Sequence, residues 1–182
     1  MAYTFQNFCS DAHNAIAQDD NHIGREKVRQ KLAFLLGHPE FISEYLLKQN
    51  TSKITLYHDQ KYDFYVMAHA ATAGDRIGKP HDHGSSWAVY GQAIGVTNMT
   101  VWNRLDDRRK INYAELVKSK NFSLTPGEAA LFDTGVIHST AHPEPARWVR
   151  VTGANLDTIE RFTYNPEKNL CKPMNPKNIN SF

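Results

Sequence analysis

The chain is poor in cysteine. Only Cys9 and Cys171 occur in 182 residues, far apart, and no C-x-x-C metal or redox motif exists. No sign of charge dominates either: 21 Lys and Arg stand against 19 Asp and Glu, a formal net charge of +2. The one dense run, Asp106-Asp107-Arg108-Arg109-Lys110, mixes both signs and reads as a solvated turn. With no basic face and no DNA-reading helix, no nucleic-acid partner is expected. The chain also lacks an apolar run of transmembrane length and a signal-peptide pattern. No membrane partner is therefore expected, and the cytoplasm is the expected compartment. Internal repeats and low-complexity segments are absent. A hydrophobic content of 41% and a charged content of 22% are ordinary for a soluble globular domain of this length.

Histidine is what the chain has. There are nine, and four fall in two tight pairs, His81/His83 and His138/His142. Around the first pair runs Pro80-His81-Asp82-His83-Gly84-Ser85-Ser86-Trp87. On a strand, residues two apart leave the same face, so both imidazoles can reach one point while Asp82 turns away. Imidazole is the commonest protein metal ligand, so a metal is the first functional reading. A lone His-x-His is weak, and a His-rich turn is the bland alternative. A third ligand on another strand would make the signal strong.

Residues 5 to 50 read as helical. Phe5, Phe8, Cys9, Ala12, Ala15 and Ile16 form one stripe; Ile23, Val28, Leu32, Leu35 and Leu36 form another, with Asn21 as its cap and Gly37 as its stop. Phe41 to Leu47 suggests a third, short helix. From Ser52 the period changes to two. Strand-like runs follow at Lys53–Tyr57, Asp63–Ala70, Ser86–Tyr90, Ala93–Asn103, Asn121–Leu124, Ala129–Phe132, Ile137–Ala141, Trp148–Thr152 and Ile159–Tyr164. Gly74–Pro80 reads as a loop, Gly91 and Gly95 as turns or bulges, and Ile111–Lys120 is ambiguous. Many short strands between frequent turns predict a barrel or jelly roll. Residues 1–50 are expected to pack on that barrel as a helical lead, 51–165 to form it, and 166–182 to wrap the surface as a proline-rich tail.

The second histidine pair lies in Gly127-Glu128-Ala129-Ala130-Leu131-Phe132-Asp133-Thr134-Gly135-Val136-Ile137-His138-Ser139-Thr140-Ala141-His142. Here the chain resembles the cupins. Their first motif aligns as His81, His83, Ala88 and Gly95, and their second as Gly127, Asp133, Gly135, His138 and His142, both without a gap. The resemblance implies a mainly β fold, the cupin double-stranded β-helix (a jelly-roll barrel) with N-terminal α-helices. It also implies a metal centre, and cupins frequently pair through edge strands, so a homodimer is compatible with it.

Ala88 stands where most cupins place a glutamate ligand, which leaves His81, His83 and His138 as the ligand set. Three neutral imidazoles suit iron(II) holding an anionic substrate and O2 together, and this layout is similar to the thiol dioxygenases, with cysteine dioxygenase nearest. Pro143-Glu144-Pro145-Ala146 after the second motif adds to that resemblance. It fails where that family carries a Ser-x-His-x-Tyr run, since Trp148, Arg150 and Thr152 stand there. The family's cysteine–tyrosine crosslink has Ala88 and Thr152 at its two positions and cannot form. No arginine before the first motif matches the family's carboxylate clamp.

The expected activity is therefore oxidation of a small anionic molecule by a dioxygenase, with a thiol acid as the candidate substrate. Rival readings are a carbon–carbon cleaving dioxygenase on a diketone or phenolic ketone, a zinc or nickel isomerase or hydrolase, and a non-catalytic small-molecule-binding cupin. Arg150 is the candidate clamp for an anionic head, its alternatives being a salt bridge to Asp133 or Glu144, or exposure. Arg76 is a weaker candidate at the barrel mouth. His142, four residues after His138, is the candidate acid/base group, against a packed histidine. Tyr90, Trp87 and Trp148 are candidate pocket walls, Trp102 a barrel wall, and His69 ranks as packed.

Overall fold

A computed structural model describes residues 3–71 and 76–174. Two helices open the chain, α1 (Phe5–Gln18) and α2 (His22–Leu36). Thr4 caps α1 reciprocally, its hydroxyl accepting from Asn7 N while Asn7 Oδ1 accepts from Thr4 N. Asn21 Oδ1 accepts from Ile23 N at 2.8 Å and caps α2. Gly37 ends α2 in a right-handed conformation, with its N–H bonded to Phe34 O. A helical turn at Pro39–Phe41 then widens into a π-helical turn, Ile42–Leu47. Both expected stripes are buried except at Ile23, which is 59% exposed. It sits in the first turn of α2.

The remainder is β structure. The strands are β1 (Lys53–His58), β2 (Tyr65–Ala71), β3 (Arg76–Ile77), β4 (Ala88–Ile94), β5 (Thr97–Arg104), β6 (Leu116–Leu124), β7 (Ala129–Phe132), β8 (Ile137–His142), β9 (Ala146–Thr152), β10 (Arg161–Asn165) and β11 (Leu170–Met174). One sheet has the order β1-β2-β9-β4-β7 and the facing one β3-β8-β5-β6, with antiparallel pairing throughout. From β2 to β9 the chain alternates between the two sheets, except that β5 and β6 pair side by side in one, which is the double-stranded β-helix.

The central strands of the first sheet, β2, β4 and β9, are buried on both faces, and parity sorts their residues. Val66, Ala68, Val89, Val149 and Val151 face α1 and α2, where they meet Phe8, Leu32 and Leu35. Each of the fully buried Val, Leu and Phe side chains contributes about 1.5–3 kcal/mol of transfer free energy, and Ala68 less. The alternate residues, Ala88, Tyr90 and Trp148, face inward and meet Met99 and Leu124 of the second sheet. This parity decides where every candidate site residue points.

Four local expectations change. Gly91 lies inside β4 rather than in a turn; a Cβ there would come within 2.6–2.9 Å of Leu36 and Leu32 on α2, so glycine lets helix and sheet close together. The register shift sits one step on, between Gln92 and Ile94. The ambiguous segment becomes β6 from Leu116 onward. The loop expected at Gly74–Pro80 holds the short β3, with residues 74 and 75 outside the described residues. The tail does not simply wrap the surface: after a turn at Pro166–Lys168, β11 pairs with β10. Proline is tolerated there because the pair is a two-stranded edge. Cys9 and Cys171 are free and buried. Among the described residues no helix is long and apolar enough to cross a membrane.

Acid should loosen this fold. The Arg104 guanidinium holds Asp106 below the usual carboxylate range. Burial pushes Asp59 up, but His13, the Tyr62 N–H and Tyr57 outweigh it and leave Asp59 lowered. A carboxylate depressed in the folded state adds stability that is complete above its unfolded value, about 3.9, and is lost as pH falls toward the folded value. Urea midpoints should therefore stay level down to about pH 5 and drop from about pH 4 downward, with a shallower drop in Asp106→Asn. An equal drop in the variant would remove Asp106 from the account.

Candidate metal centre

His81, His83 and His138 come together, with one ring nitrogen from each lying within 4.8 Å of the others. Backbone pairing sets two of them. His81 and His138 stand directly opposite, exchanging N–H···O bonds of 2.9 Å in both directions. Residues paired in this way carry their side chains on one face of the ladder. His83 joins from two residues on, before the chain turns at Gly84. That turn has φ +60°, and a Cβ at Gly84 would overlap Glu160 O at 2.0 Å. The ring centroids lie 4.6, 4.8 and 5.5 Å apart.

The donor chemistry fits a cation. The Lys79 carbonyl, 2.9 Å from His81 Nδ1, can only accept, so that nitrogen carries the proton and Nε2 offers its lone pair. Burial lowers all three histidines below their ordinary values, and charge on neighbouring rings lowers His83 and His138 further. The rings are therefore neutral at pH 7, the state in which imidazole binds metal. An ion bonded at about 2.1 Å needs nitrogens about 3.4 Å apart in a tetrahedral set, which small ring rotations supply.

Asp82, between the two histidines, points away as expected and latches the strand behind. Its Oδ1 accepts from Gly84 N and Phe162 N, each at 3.0 Å, and its Oδ2 accepts from the Tyr164 hydroxyl at 2.5 Å. Burial and this carboxylate push the Tyr164 phenol up. Asp82→Ala strands these donors and should cost about 3 kcal/mol in stability. It should also weaken metal binding roughly tenfold by freeing the loop between the ligands. Thermal melts and metal titrations check both, and an unchanged metal affinity would limit Asp82 to holding the fold.

The site opens into a cavity of about 400 Å³ whose lining includes His81, Tyr90, His142, Trp148, Arg150 and Arg161. A larger surface groove of about 660 Å³ runs over the outer face of the second sheet, past Trp102. None of the three histidines lines it, although their neighbours Pro80 and Ser139 do. Trp102 is on that outer face, with its Nε1–H donated to Ser139 Oγ at 3.1 Å.

Ala88 is fully buried next to Tyr90 on the inward face, and its strand partner is Thr152. Those two positions do meet, but neither side chain can form a crosslink. Trp87 is a correction. It packs among the helix-side residues, with the Arg25 guanidinium over its ring, and does not line the cavity. The Gly84 turn interrupts the alternation begun at His81, so Trp87 ends on the opposite face.

Trp148 lies between two rings, His142 at 4.3 Å and His69 at 5.2 Å, both nearly parallel to it. Gln92 Nε2 donates to Ile94 O, which turns Gln92 Oε1 toward the Thr97 hydroxyl, 2.7 Å away. Thr97 therefore donates to Gln92 and accepts from His142 Nδ1 at 3.0 Å. That chain of bonds leaves the His142 lone pair on Nε2.

Arg150 forms no salt bridge to Asp133 or Glu144. Asp133 is held by His22 and Arg25 across to α2. Arg150 Nη2 meets Met67 Sδ at 3.8 Å, and its buried Nε has no hydrogen-bond partner among the described residues. Arg161, which the sequence reading missed, brings a second guanidinium. It is tied to Leu156 O at 2.8 Å and to Asp157 at 3.6 Å, and burial and Arg150 lower it. The available signal was its period-two spacing from Thr163, which also lines the cavity. The Arg76 side chain lies outside the described residues.

No protein-family model and no curated protein sequence matches this chain. Solved structures give low-identity likenesses of fold. The Cnp3 cupin domain of Schizosaccharomyces pombe is 11% identical, over 63% of this chain and 72% of that one, with a TM-score of 0.45. A cupin-2 domain containing protein from Shewanella frigidimarina is 17% identical, over 62% and 88%, with a TM-score of 0.42. The DMSP lyase DddQ from Ruegeria pomeroyi is 14% identical, over 63% and 52%, with a TM-score of 0.44. By its own strand order, the chain folds as a double-stranded β-helix, carrying N-terminal helices and a three-histidine cluster in its barrel.

Proposed function

We propose that the protein is a mononuclear metal-dependent enzyme acting on a small anionic molecule, with iron(II) at His81, His83 and His138 and O2 as co-substrate. One observation carries this reading: three neutral imidazoles cluster together, and one of them, His81, lines a cavity that holds Lys79, Arg150 and Arg161 and, among the described residues, no carboxylate. Bound iron(II) would supply the redox chemistry, delivering both oxygen atoms to the substrate.

The chain's own residues do the rest. Arg150 offers a planar fork with an uncompensated charge, which suits a carboxylate head. Arg161 adds charge from the opposite wall. Trp148 and Tyr90 give the apolar surface that holds a small ligand in one pose. His142, its proton fixed at Nδ1, can take up a proton at Nε2. A thiol acid fits this set, with its sulfur toward the histidines and its carboxylate toward Arg150. The test is anaerobic iron loading followed by oxygen uptake across short thiol acids. Stoichiometric uptake with sulfinate formation supports the thiol version, and no uptake with any of them retires it.

The hydroxyl of Tyr90 and the ordered His142 favour a second reading, in which zinc or nickel acts as a Lewis acid for an isomerase or hydrolase and these groups move protons. Metal analysis of protein from its native host separates the two.

A further inference from the structure

The phenol of Tyr90 is placed where a metal ligand belongs. Its Oη lies 3.2 Å from His83 Nε2 and 3.4 Å from His138 Nε2, and the residue is 5% exposed. Nitrogen and oxygen donors about 2.1 Å from a tetrahedral ion stand about 3.4 Å apart, so these separations match two edges of such a polyhedron. A hydrogen-bond chain also satisfies both contacts, with one ring's Nε2–H donating to Oη and the phenol O–H donating to the other, but it occupies two ring nitrogens that a metal would need. A phenol has one proton, so it can donate to only one of two facing lone pairs. Satisfying both contacts would force one ring to carry its proton on Nε2 and lose that lone pair as a ligand.

The strand explains how the phenol arrives. Ala88 takes the position of the usual acidic ligand, and its methyl leaves the inward face open. Tyr90 is two residues on and shares that face. Its ring is held by an edge contact to Phe132 at 5.5 Å and a near-parallel contact to His83 at 6.0 Å.

We propose that Tyr90 is the fourth protein ligand, its phenolate completing a set with His81, His83 and His138. This rests on the three-histidine metal reading. As the metal–oxygen bond forms, the phenol proton leaves to solvent. A phenolate offsets one positive charge of the ion, so the centre is not purely imidazole, and fewer positions stay open for substrate.

The experiment uses the full chain loaded with iron(II) alone and then oxidised to iron(III) with ferricyanide. Metal content is measured beside the optical and resonance Raman spectra. The expected result is one iron per chain with an intense visible charge-transfer band and phenolate ring modes. Both should vanish in Tyr90→Phe, which should bind iron about 10- to 100-fold more weakly. Tight iron without the band in the unaltered protein overturns the Tyr90 assignment and leaves the histidine site standing, whether or not the variant folds. A band that persists in Tyr90→Phe overturns it too. Failure to bind iron at all removes the metal centre and this ligand with it.

Discussion

His138→Ala should lower metal affinity by at least roughly 100-fold while the barrel stays folded. Losing an outer-shell partner alone costs about 10- to 100-fold, and a direct ligand is worth no less. His138 is the residue to choose because it is fully buried and its backbone bonds to His81 survive the substitution. Strand pairing is kept while one ring is deleted. Calorimetric titration with iron(II) or zinc, beside circular dichroism, reads the two effects separately. A variant that folds and binds metal as tightly as before would sink the three-histidine centre.

The second large effect is expected at Arg150. A guanidinium whose buried Nε lacks a partner is costly in the free protein. Arg150→Met keeps the volume and removes the charge, so it should stabilise the fold by about 1–3 kcal/mol. The same change should cost about 2–4 kcal/mol in binding a thiol carboxylate, roughly 30- to 1000-fold in Kd. Opposite signs in the two measurements mark a side chain kept for ligand rather than for folding. Arg150→Lys should recover only part of the affinity, since the fork is lost while the charge remains. Lower stability together with unaltered binding in Arg150→Met would return Arg150 to a structural role.

Much of this was readable before any coordinates, for definite physical reasons. The histidine spacing encodes strand parity, so His81 and His83 were expected on one face and His138 opposite them. Alternation likewise marked β7, β8 and β9. Parity fails as a guide where the chain turns, and Trp87, three residues past Gly84, went to the wrong side for that reason. Gly91 looked like a break because its cause is a pair of leucines on α2, more than fifty positions earlier. Strand β11 was hidden by its proline, which an edge pair tolerates. Arg161 carried no motif, and its place in the cavity comes from a hairpin that docks through Asp82. Long-range contacts of this kind leave no local signature.

The mutual backbone pairing of His81 with His138 also bears on when the ion can enter. These residues are far apart along the chain, and neither has its partner until the segment after β3 has docked on β8. The unfolded chain therefore offers the ion only the close pair His81 and His83, with His138 far along the chain, unlike small zinc modules whose full ligand set is closely spaced and lets the metal drive folding. Loop closure over that distance comes first, and its entropy is met by burial of the core. The socket is finished before its cargo arrives, so a chelator should strip the ion and leave behind a folded, refillable apoprotein.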